Sequence, residues 1–373
     1  MRVTQFAIRL AYALLTMAAV LASGTAAAWN DSAVLPPLKS IRVLGTTVPG
    51  NGDVNPYGMA QVRRSTGNLV AGHILISNFN NSQNQQGTGT TIVEMAPNGA
   101  LTLFATLDAA TLPGPCPGGV GLTTALVVLD SGWVIVGSLP TSDGTSATAQ
   151  AGCLIVLDAS GNAVETLYGS LINGPWDMTA FEYGGHAKLF VTNVLNGTVA
   201  ANGAVVNEGT VTRLDLALPG HAMPALEAIT VIGSGFAERT DPAALVIGPT
   251  GVALERDSAR LYVADTLNNR VTAIDDALER TGPAGTGRTL SAGGTLNAPL
   301  GLIVTENGEL LTVNGGDGNV TEIDPHGRQV AHTQLDASGS PPGAGALFGL
   351  VFDAGHGLYY VDDATNTLNL LHR

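Results

Sequence analysis

The amino-acid sequence predicts an all-β fold, a six-bladed β-propeller with four-stranded blades whose ring closes when the N-terminal strand completes the last blade. Three observations predict it. The 373 residues include 48 Gly and 19 Pro, which favours many turns and leaves little room for long helices. A pattern of three short strands recurs six times, with a fourth strand before the next copy. A spare strand precedes the first copy, and the last copy is one strand short.

The clearest copy of the repeat lies at residues 249–275. Residues of β-branched, aromatic and other apolar types favour extended backbone in its strands, and polar residues between them favour turns. The three strands are residues 249–253, 261–265 and 270–275. Residues 261–271 are therefore part of a repeat and not an isolated hairpin.

Each copy begins with a short motif around one anchor residue, which is placed at the mouth of the central channel. Successive anchors are 48 to 74 residues apart, which is enough chain for four strands. In chain order, the predicted anchors are Gly58, Gly121, Asp177, Gly251, Gly301 and Gly349. The residues before them are Tyr57, Val120, Trp176, Thr250, Leu300 and Phe348.

The two ends of the propeller sequence predict how the ring closes. Residues 40–45 form the spare strand, and the sixth copy ends at residues 371–373, after its third strand. Pairing the spare strand with the last one would complete the sixth blade and leave no long exposed edge.

The N-terminus has the features of a signal peptide. Arg2 and Arg9 give a positive start, residues 10–21 are apolar, and Ala26 to Ala28 provide a small-residue cleavage site. An uncleaved anchor or a buried helix is the alternative. We therefore predict a signal peptide at residues 1–28 and a propeller at residues 29–373, secreted or periplasmic, with no transmembrane segment after the signal is removed.

The charge of the chain argues against binding to polyanions. The formal net charge is −14, and without Arg2 and Arg9 it becomes −16, because 14 basic residues remain against 30 acidic ones. Such a chain repels nucleic acid and anionic lipid, and no basic cluster offsets the effect. The expected partner is a small molecule, a peptide or a protein, and no nucleic acid.

Cys116 and Cys153 are the two cysteines of the chain. Because an exported protein meets an oxidising compartment, a disulfide is the simplest use for the pair, and two free buried thiols are the alternative. The strand pattern places both cysteines on the same face of the second blade. A disulfide there would hold the loop before that blade over the channel mouth.

Residues 249–274 resemble an NHL repeat. They contain the Pro-x-Gly-Val-Ala opening, the Leu-Tyr-Val-Ala-Asp strand and the Asn-x-Arg-Val connector of that family. The resemblance is partial around Gly301 and Gly349, and before about residue 220 it rests on spacing and strand pattern. It implies a six-bladed propeller of the NHL or SMP-30-like kind. Arg270 of the connector is interpreted as a structural partner between blades.

Six polar residues end the second strands of the copies and are predicted to surround one mouth of the channel. Converging oxygen atoms suit a hard cation, so Ca²⁺ is a candidate cofactor, although no cofactor is firmly implied. Asn and Asp also end strands because their side chains bond to the backbone of turns, and this alternative stays open. The residues are Asn78, Ser138, Asn193, Asp265, Asn314 and Asp362.

Aromatic residues stand beside three of the anchors. Tyr57, Trp176 and Phe348 would form an apolar floor for a small ligand or peptide if they face the channel, and packing between blades explains them equally well. Together with Asp177 and the strand-end residues other than Ser138, they make up the predicted ligand-binding mouth.

An enzyme is the competing hypothesis. Calcium-dependent lactonases of the SMP-30 and gluconolactonase kind carry Asn or Asp at and beside the anchors, whereas here Asp177 is the one carboxylate at such a position. No catalytic residue set emerges. The sequence therefore favours an exported module that binds a ligand or protein through one face of its channel, with a metal-assisted propeller hydrolase or lyase as the alternative.

Overall fold

Six antiparallel sheets follow one another along the chain in the computed structural model, which describes residues 33–220 and 222–373. Five sheets have four strands and the third has five, which confirms the predicted six-bladed propeller. Helix is limited to single short turns in the described part of the chain, where no helix has the length and apolar character needed to span a membrane. The predicted signal peptide lies outside the described residues.

The first three blades contain strands β2 to β14, each blade beginning at the channel. The first blade contains β2 (Val54–Gln61), β3 (Ile74–Asn80), β4 (Thr91–Met95) and β5 (Leu101–Thr106). The second contains β6 (Leu122–Val128), β7 (Val134–Ser138), β8 (Leu154–Leu157) and β9 (Ala163–Leu167). The third contains β10 (Pro175–Tyr183), β11 (His186–Asn193), β12 (Val206–Ala217), β13 (Ala225–Asp241) and β14 (Leu245–Ile247), with α1 (Thr198–Ala201) between β11 and β12.

The last three blades follow the same order from the channel outwards. The fourth contains β15 (Pro249–Glu255), β16 (Arg260–Asp265), β17 (Arg270–Ile274) and β18 (Arg288–Ala292). The fifth contains β19 (Pro299–Val304), β20 (Leu310–Asn314), β21 (Asn319–Ile323) and β22 (Gln329–Gln334). The sixth contains β23 (Leu347–Asp353), β24 (Gly357–Asp362) and β25 (Thr367–His372), and it is completed by β1 (Ser40–Thr46).

The ring closes as the sequence predicts. β1 pairs with β25 in antiparallel register from Ser40 opposite His372 to Thr46 opposite Thr367. The residues just before β1 also dock on the fifth blade, where the buried carboxylate of Glu322 accepts hydrogen bonds from the backbone N–H groups of Val34 and Leu35, at 2.6 and 3.0 Å. The N-terminal segment thus joins the last two blades and removes the free edge of the ring.

The apolar core is divided into clusters that lie between neighbouring blades. Between the first and second blades, for example, Leu75 and Ile92 pack with Val134, and all three are essentially fully buried. The cluster between the sixth and first blades extends to the channel residues Tyr57 and Phe348. Each blade is therefore stabilised by its two neighbours, which is why the ring of repeats behaves as one structural unit.

A β-bulge interrupts the first strand of every blade near the start of the strand. In five blades two residues stand in the gap between paired positions, and in β6 three do, because Leu122 pairs with Ser138 and Leu126 with Val136. The other interruptions lie between Pro56 and Met59, Pro175 and Met178, Pro249 and Val252, Pro299 and Leu302, and Leu347 and Leu350. Bulges turn the chain and redirect side chains, and here they do so at the channel.

The bulge in β6 corrects the predicted anchor of the second blade. Leu122 pairs with Ser138 as Pro56 pairs with Asn78, so the equivalents of Tyr57 and Gly58 are Thr123 and Thr124. The predictions of Gly121 and Val120 were wrong, because both residues precede β6. The local Val-Gly-Leu motif resembled the other copies, but its glycine lies three residues before the equivalent position in the bulge.

Anchor glycines are required where a blade packs against the next one. A Cβ on Gly251 would lie 2.1 Å from the carbonyl oxygen of Leu300, and a Cβ on Gly301 would lie 2.0 Å from that of Phe348. A Cβ on Gly349 would lie 2.3 Å from the carbonyl oxygen of Tyr57. Each glycine therefore admits the backbone of the channel-lining residue in the next blade.

Replacing Gly301 by Ala is expected to lower the free energy of unfolding by about 1–3 kcal/mol, because the new methyl group must displace backbone between two blades. Gly282→Ala is the matched control, since a Cβ there meets nothing within 4 Å and neither glycine has a positive φ. Urea unfolding of the two variants and the parent measures the difference. Equal stability of the two variants would contradict the packing role.

The predicted disulfide is confirmed. Cys116 and Cys153 are bonded, with their Cα atoms 5.1 Å apart. Cys153 stands directly before β8, and Cys116 lies in the loop that precedes β6. The bond therefore ties that loop to the second blade, on the face where the first strands begin.

Candidate functional site

One cavity lies where the first strands of all six blades begin. Its lining includes one bulge residue from each of five blades and two from the second blade. These residues are Tyr57, Thr123, Thr124, Trp176, Thr250, Leu300 and Phe348. The repeated bulge thus directs one position per blade to a common point at the channel, and the cavity is built from those positions.

Three aromatic rings form a stack on one side of the cavity. The ring of Tyr57 lies 3.8 Å from that of Phe348 and 4.5 Å from that of Phe79, measured between centroids, and both pairs are nearly parallel. Trp176 contributes a further aromatic wall from the third blade. The structure therefore brings together the three aromatic residues that the sequence singled out.

Phe79 is not identified as a site residue from the sequence, because the predicted strand ends at Asn78. β3 continues to Asn80, so Phe79 is still in the sheet. The sequence did contain a signal for Phe79, because an apolar residue follows the polar strand-end residue in the first three copies. In the second and third copies this residue is Leu139 and Val194. Leu139 also lines the cavity, and Val194 is buried in the same apolar cluster.

An insertion in the third blade supplies another wall. β13 continues beyond its blade and pairs with β14, from Arg239 opposite Ile247 to Asp241 opposite Leu245. Residues 244–247 of this hairpin line the cavity. At its tip, the carbonyl oxygen of Ala243 accepts a hydrogen bond from Gln86 Nε2 at 3.0 Å, so the hairpin reaches a loop of the first blade. We name residues 239–247 the cover hairpin.

The cover hairpin contains a strained residue. Leu245 has a φ of 61°, in the left-handed region that residues with a side chain rarely adopt, and it is almost fully buried in the cluster that contains Tyr57 and Trp176. Such a conformation costs about 1–3 kcal/mol and persists only where the surroundings hold it. Packing of the Leu245 side chain beside the cavity provides that restraint.

The cavity is small and largely apolar. Its volume is about 120 Å³, comparable with an apolar protein cavity of ~150 Å³ that holds benzene. Among the described residues, no charged side chain lines it. Burial and the nearby charge of Asp363 raise the pKa of Tyr57 far above its ordinary value, so this lining residue stays neutral as well.

The hydroxyl groups on the cavity wall differ in their hydrogen bonds. Thr266 Oγ1 donates to the carbonyl oxygen of Pro299 at 2.7 Å, which leaves Thr250 Oγ1 to donate to Thr266 Oγ1 at 2.7 Å. The Oγ1 atom of Thr123 accepts a hydrogen bond from the backbone N–H of Ala125 at 3.3 Å. The Oγ1 atom of Thr124 is buried and has no partner.

The predicted ring of strand-end residues does not line this cavity. All six are buried, with exposed fractions of 0 to 5 %, and their polar groups bond to neighbouring segments. Asn78 Nδ2 donates to the carbonyl oxygen of Thr47 at 3.2 Å, and Asn193 Oδ1 accepts from the backbone N–H of Asn173 at 2.9 Å. The residues so placed are Asn78, Ser138, Asn193, Asp265, Asn314 and Asp362.

The later members of the ring also hold the connections beside them. Asn314 Nδ2 donates to the carbonyl oxygen of Thr295 at 2.8 Å, and Asp362 Oδ1 accepts from the backbone N–H of Thr365 at 3.2 Å. These bonds are the turn-stabilising role that the sequence left open. Asn78 Oδ1 and Asn314 Oδ1 are left without a partner in the described residues. Ligand binding by this ring stays a prediction.

Asp265 and Arg270 form an ion pair within the fourth blade. Arg270 Nη2 lies 2.7 Å from Asp265 Oδ2, and the guanidinium also donates to Thr286 and Thr289 of the same blade. The prediction that Arg270 joins two blades was wrong, because the connector folds back along its own sheet. A buried carboxylate with a guanidinium partner is a structural pair.

Asp177 is the carboxylate that stands at a blade anchor. It is buried, and its Oδ2 atom accepts a hydrogen bond from the backbone N–H of Val252, in the next blade, at 3.0 Å. Burial raises the pKa of Asp177 to about 7, against the lowering effect of the hydrogen bonds from the backbone N–H groups of Val252 and Met178. Asp177 is not part of the cavity wall.

Glu238 is a second buried carboxyl, at the base of the cover hairpin. Its Oε1 atom accepts a hydrogen bond from the backbone N–H of Asn196 at 2.9 Å, whereas Oε2 has no partner. Burial raises the pKa of Glu238 to about 8, and the charge of Glu208 adds to the effect. Within residues 33–220 and 222–373, no group of three or more His, Cys, Asp and Glu side chains is arranged so that it could hold a metal ion.

One family model matches part of the chain. The sequence model of the family described as "SMP-30/Gluconolactonase/LRE-like region" matches residues 197–342. Comparison with curated proteins finds no match. The matched segment covers the cover hairpin and the fourth and fifth blades.

Solved structures of similar fold cover nearly the whole chain at low sequence identity. A gluconolactonase from Xanthomonas campestris is 16% identical over 91% of this chain and 91% of its own, with a TM-score of 0.56. A luciferin-regenerating enzyme is 12% identical over 88% of this chain and 94% of its own, with a TM-score of 0.55. The calcium-binding protein regucalcin from Agrobacterium tumefaciens is 15% identical over 88% and 94%, with a TM-score of 0.52. At these identities the likeness concerns the fold.

Proposed function

We propose that this chain is an exported binding protein that holds a small ligand in the cavity at the mouth of its channel. The observation that carries the proposal is the convergence of bulge residues from all six blades on one apolar cavity. A concave apolar site with a few polar groups is the usual form of a small-molecule site. A ligand that fills it gains free energy by leaving water, without any charge to neutralise.

Export is part of the same proposal. The N-terminal residues have the composition of a signal peptide, and Cys116 and Cys153 are bonded. Disulfides persist in oxidising compartments and are rare in the cytosol. Both observations support a secreted or periplasmic protein.

A metal-assisted hydrolase or lyase is the second candidate, supported by Asp177. A carboxyl with a pKa of about 7 at a blade anchor has the protonation behaviour of a general acid or base. However, Asp177 Oδ2 is already engaged by Val252 of the next blade, and Asp177 does not line the cavity. The binding function therefore has the better support.

Titration with toluene tests the binding function. We expect saturable binding of one toluene per chain, and we expect Leu300→Trp to abolish it, because the larger ring fills the cavity from its own wall. Isothermal titration calorimetry measures the binding. Leu103→Trp is the matched control, since Leu103 is 57% exposed on the outer strand of the first blade, and this variant should bind like the parent.

Two outcomes would overturn the proposal. One is the absence of toluene binding to the folded parent protein at millimolar concentrations. The other is equal binding by the parent and by Leu300→Trp, which would place the bound toluene outside the cavity. Urea unfolding of both Trp variants checks that each one is folded.

A further inference from the structure

We propose that the cavity selects a small neutral compound that carries one hydroxyl or carbonyl group, and that Thr124 is the residue that bonds to this group. The inference rests on the proposed binding function and goes further, because it assigns a ligand class and a specificity residue. Three observations carry it: the extra residue in the bulge of β6, the unpartnered hydroxyl of Thr124, and the absence of charged side chains from the cavity wall.

The extra bulge residue explains why the second blade contributes more to the cavity than the others. Each of the other five blades places one bulge residue on the wall, whereas β6 places both Thr123 and Thr124 there. Gly58, Gly251, Gly301 and Gly349 hold the position equivalent to Thr124 and have no side chain. The longer bulge of β6 therefore brings an additional polar side chain to a site that is largely apolar.

Among the threonine hydroxyls of the described cavity wall, that of Thr124 is the one that makes no hydrogen bond. Thr124 is 4% exposed, and its Oγ1 atom makes no hydrogen bond. The hydroxyls of Thr250, Thr266 and Thr123 are already engaged by protein groups. An unsatisfied buried hydroxyl costs free energy, so a ligand that satisfies it recovers that cost on binding.

Rotation about the Cα–Cβ bond of Thr124 is the movement by which its hydroxyl would meet the ligand. The side chain of Thr has a methyl and a hydroxyl group on the same carbon, and they exchange places among staggered rotamers. Because a hydroxyl both donates and accepts, either a ligand carbonyl or a ligand hydroxyl can pair with Thr124 Oγ1. The group that pairs with it must be neutral, since a charged group would lose its hydration without any opposite charge on the wall.

Toluene and phenol form the test pair, because they have the same ring and differ by a methyl or a hydroxyl group. For the parent and for Thr124→Val, the ratio of the toluene dissociation constant to the phenol dissociation constant is measured by calorimetry. Valine keeps the shape of threonine and removes the hydroxyl. We expect this ratio to fall about three- to tenfold in Thr124→Val, the value of one neutral hydrogen bond, with toluene affinity retained.

Two control variants keep the test specific. Thr123→Val removes the adjacent wall hydroxyl, which already accepts from Ala125, and should leave the ratio unchanged. Thr124→Ser restores a hydroxyl at the same position and should keep the ratio of the parent. Urea unfolding establishes that all three variants are folded. A ratio that does not change in Thr124→Val would overturn the assignment of Thr124.

The results separate this inference from the binding function on which it rests. Failure of toluene to bind the parent would overturn both. Binding of toluene with the same toluene-to-phenol ratio in the parent and in Thr124→Val would overturn only the assignment of Thr124. Benzoate and benzamide, which have the same shape, test the charge: benzoate is expected to bind at least tenfold more weakly than benzamide, and equal affinity would overturn the neutral ligand class.

Discussion

Replacing Asp177 by Asn is expected to make the protein more stable at pH 8 and to have a much smaller effect at pH 4.5. The pKa of Asp177 rises from an ordinary value of 3.8 to about 7 on folding, with burial as the main cause. The stability that the protonated carboxyl of Asp177 provides is therefore fully present below pH 3.8. It is lost as the pH rises towards about 7, and the loss is constant above that pH. Asparagine has no such titration.

The magnitude follows from the size of the shift. Each unit of pKa difference between the folded and unfolded chain is worth about 1.4 kcal/mol, so the raised pKa of Asp177 lowers the free energy of unfolding by on the order of 1 kcal/mol at pH 4.5 and 4 kcal/mol at pH 8. The carboxyl is buried, so solvent screens this cost little. The asparagine oxygen can still accept from the backbone N–H of Val252, which keeps the contact between blades.

Urea unfolding of the parent and Asp177→Asn at pH 4.5, 6 and 8 measures the effect. The difference in unfolding free energy between the two proteins should change by about 3 kcal/mol in favour of Asn over this range. The pH 4.5 sample serves as the internal control, because the carboxyl is mostly protonated there. A difference that is independent of pH would mean that Asp177 titrates alike in the folded and unfolded chain.

The same variant distinguishes the two candidate functions. If the protein binds a ligand in the cavity, Asp177→Asn should bind toluene as the parent does, because Asp177 is outside the cavity wall. If the protein is a hydrolase or lyase that uses the anchor carboxylate, this substitution removes its acid or base and turnover of any substrate is lost. Unchanged toluene binding combined with lost turnover of a substrate would favour the enzyme.

The repeat was readable from the sequence because propeller blades are set by local patterning. Strand-forming residues alternate with turn residues at regular intervals, and each blade packs only against its neighbours, so every copy of the pattern predicts one sheet. The closing strand followed from the same logic, since a missing strand at one end matched a spare strand at the other. The disulfide followed from compartment chemistry.

The cavity could be predicted only in part. Tyr57, Trp176 and Phe348 were found because each stands beside an anchor, and the structure places all three on the cavity wall. Thr123 and Thr124 were missed because a one-residue lengthening of a bulge leaves no mark in the strand pattern. The cover hairpin was missed because β13 extends beyond its pairing with β12 to pair with β14, and the sequence reads as one strand followed by a loop.

For the strand-end residues, the sequence pattern predicted the place in the fold but not the direction of the side chain. Their alignment at the ends of second strands was predicted, and five of the six end their strands, whereas β3 continues two residues beyond Asn78. Whether a polar side chain at a strand end turns towards the channel or towards its own turn depends on local hydrogen bonds that the pattern does not encode. Asn193, for example, is held by the backbone of Asn173, away from the cavity wall.

Removing the disulfide with Cys116→Ala and Cys153→Ala together is expected to lower the free energy of unfolding by about 3–4 kcal/mol, because the bond closes a loop across a sequence separation of 37 residues. A cross-link of this length acts mainly by restricting the unfolded chain. Urea unfolding of the parent and the double variant measures the loss. Mass measurement after alkylation without reductant is the control, and two alkylated thiols in the parent would contradict the bond in the purified protein.

Toluene binding by the double variant is expected to stay within about twofold of the parent, because backbone hydrogen bonds hold the same segments in the folded state. The N–H of Ser138 donates to the carbonyl oxygen of Cys153 at 2.9 Å, and the N–H of Gly118 donates to that of Ala151 at 2.8 Å. The N–H of Leu139, which lines the cavity, donates to the carbonyl oxygen of Gly121 at 2.8 Å. A loss of stability without a loss of affinity would assign the bond to the unfolded state, whereas weaker toluene binding would mean that the disulfide itself positions the cavity wall.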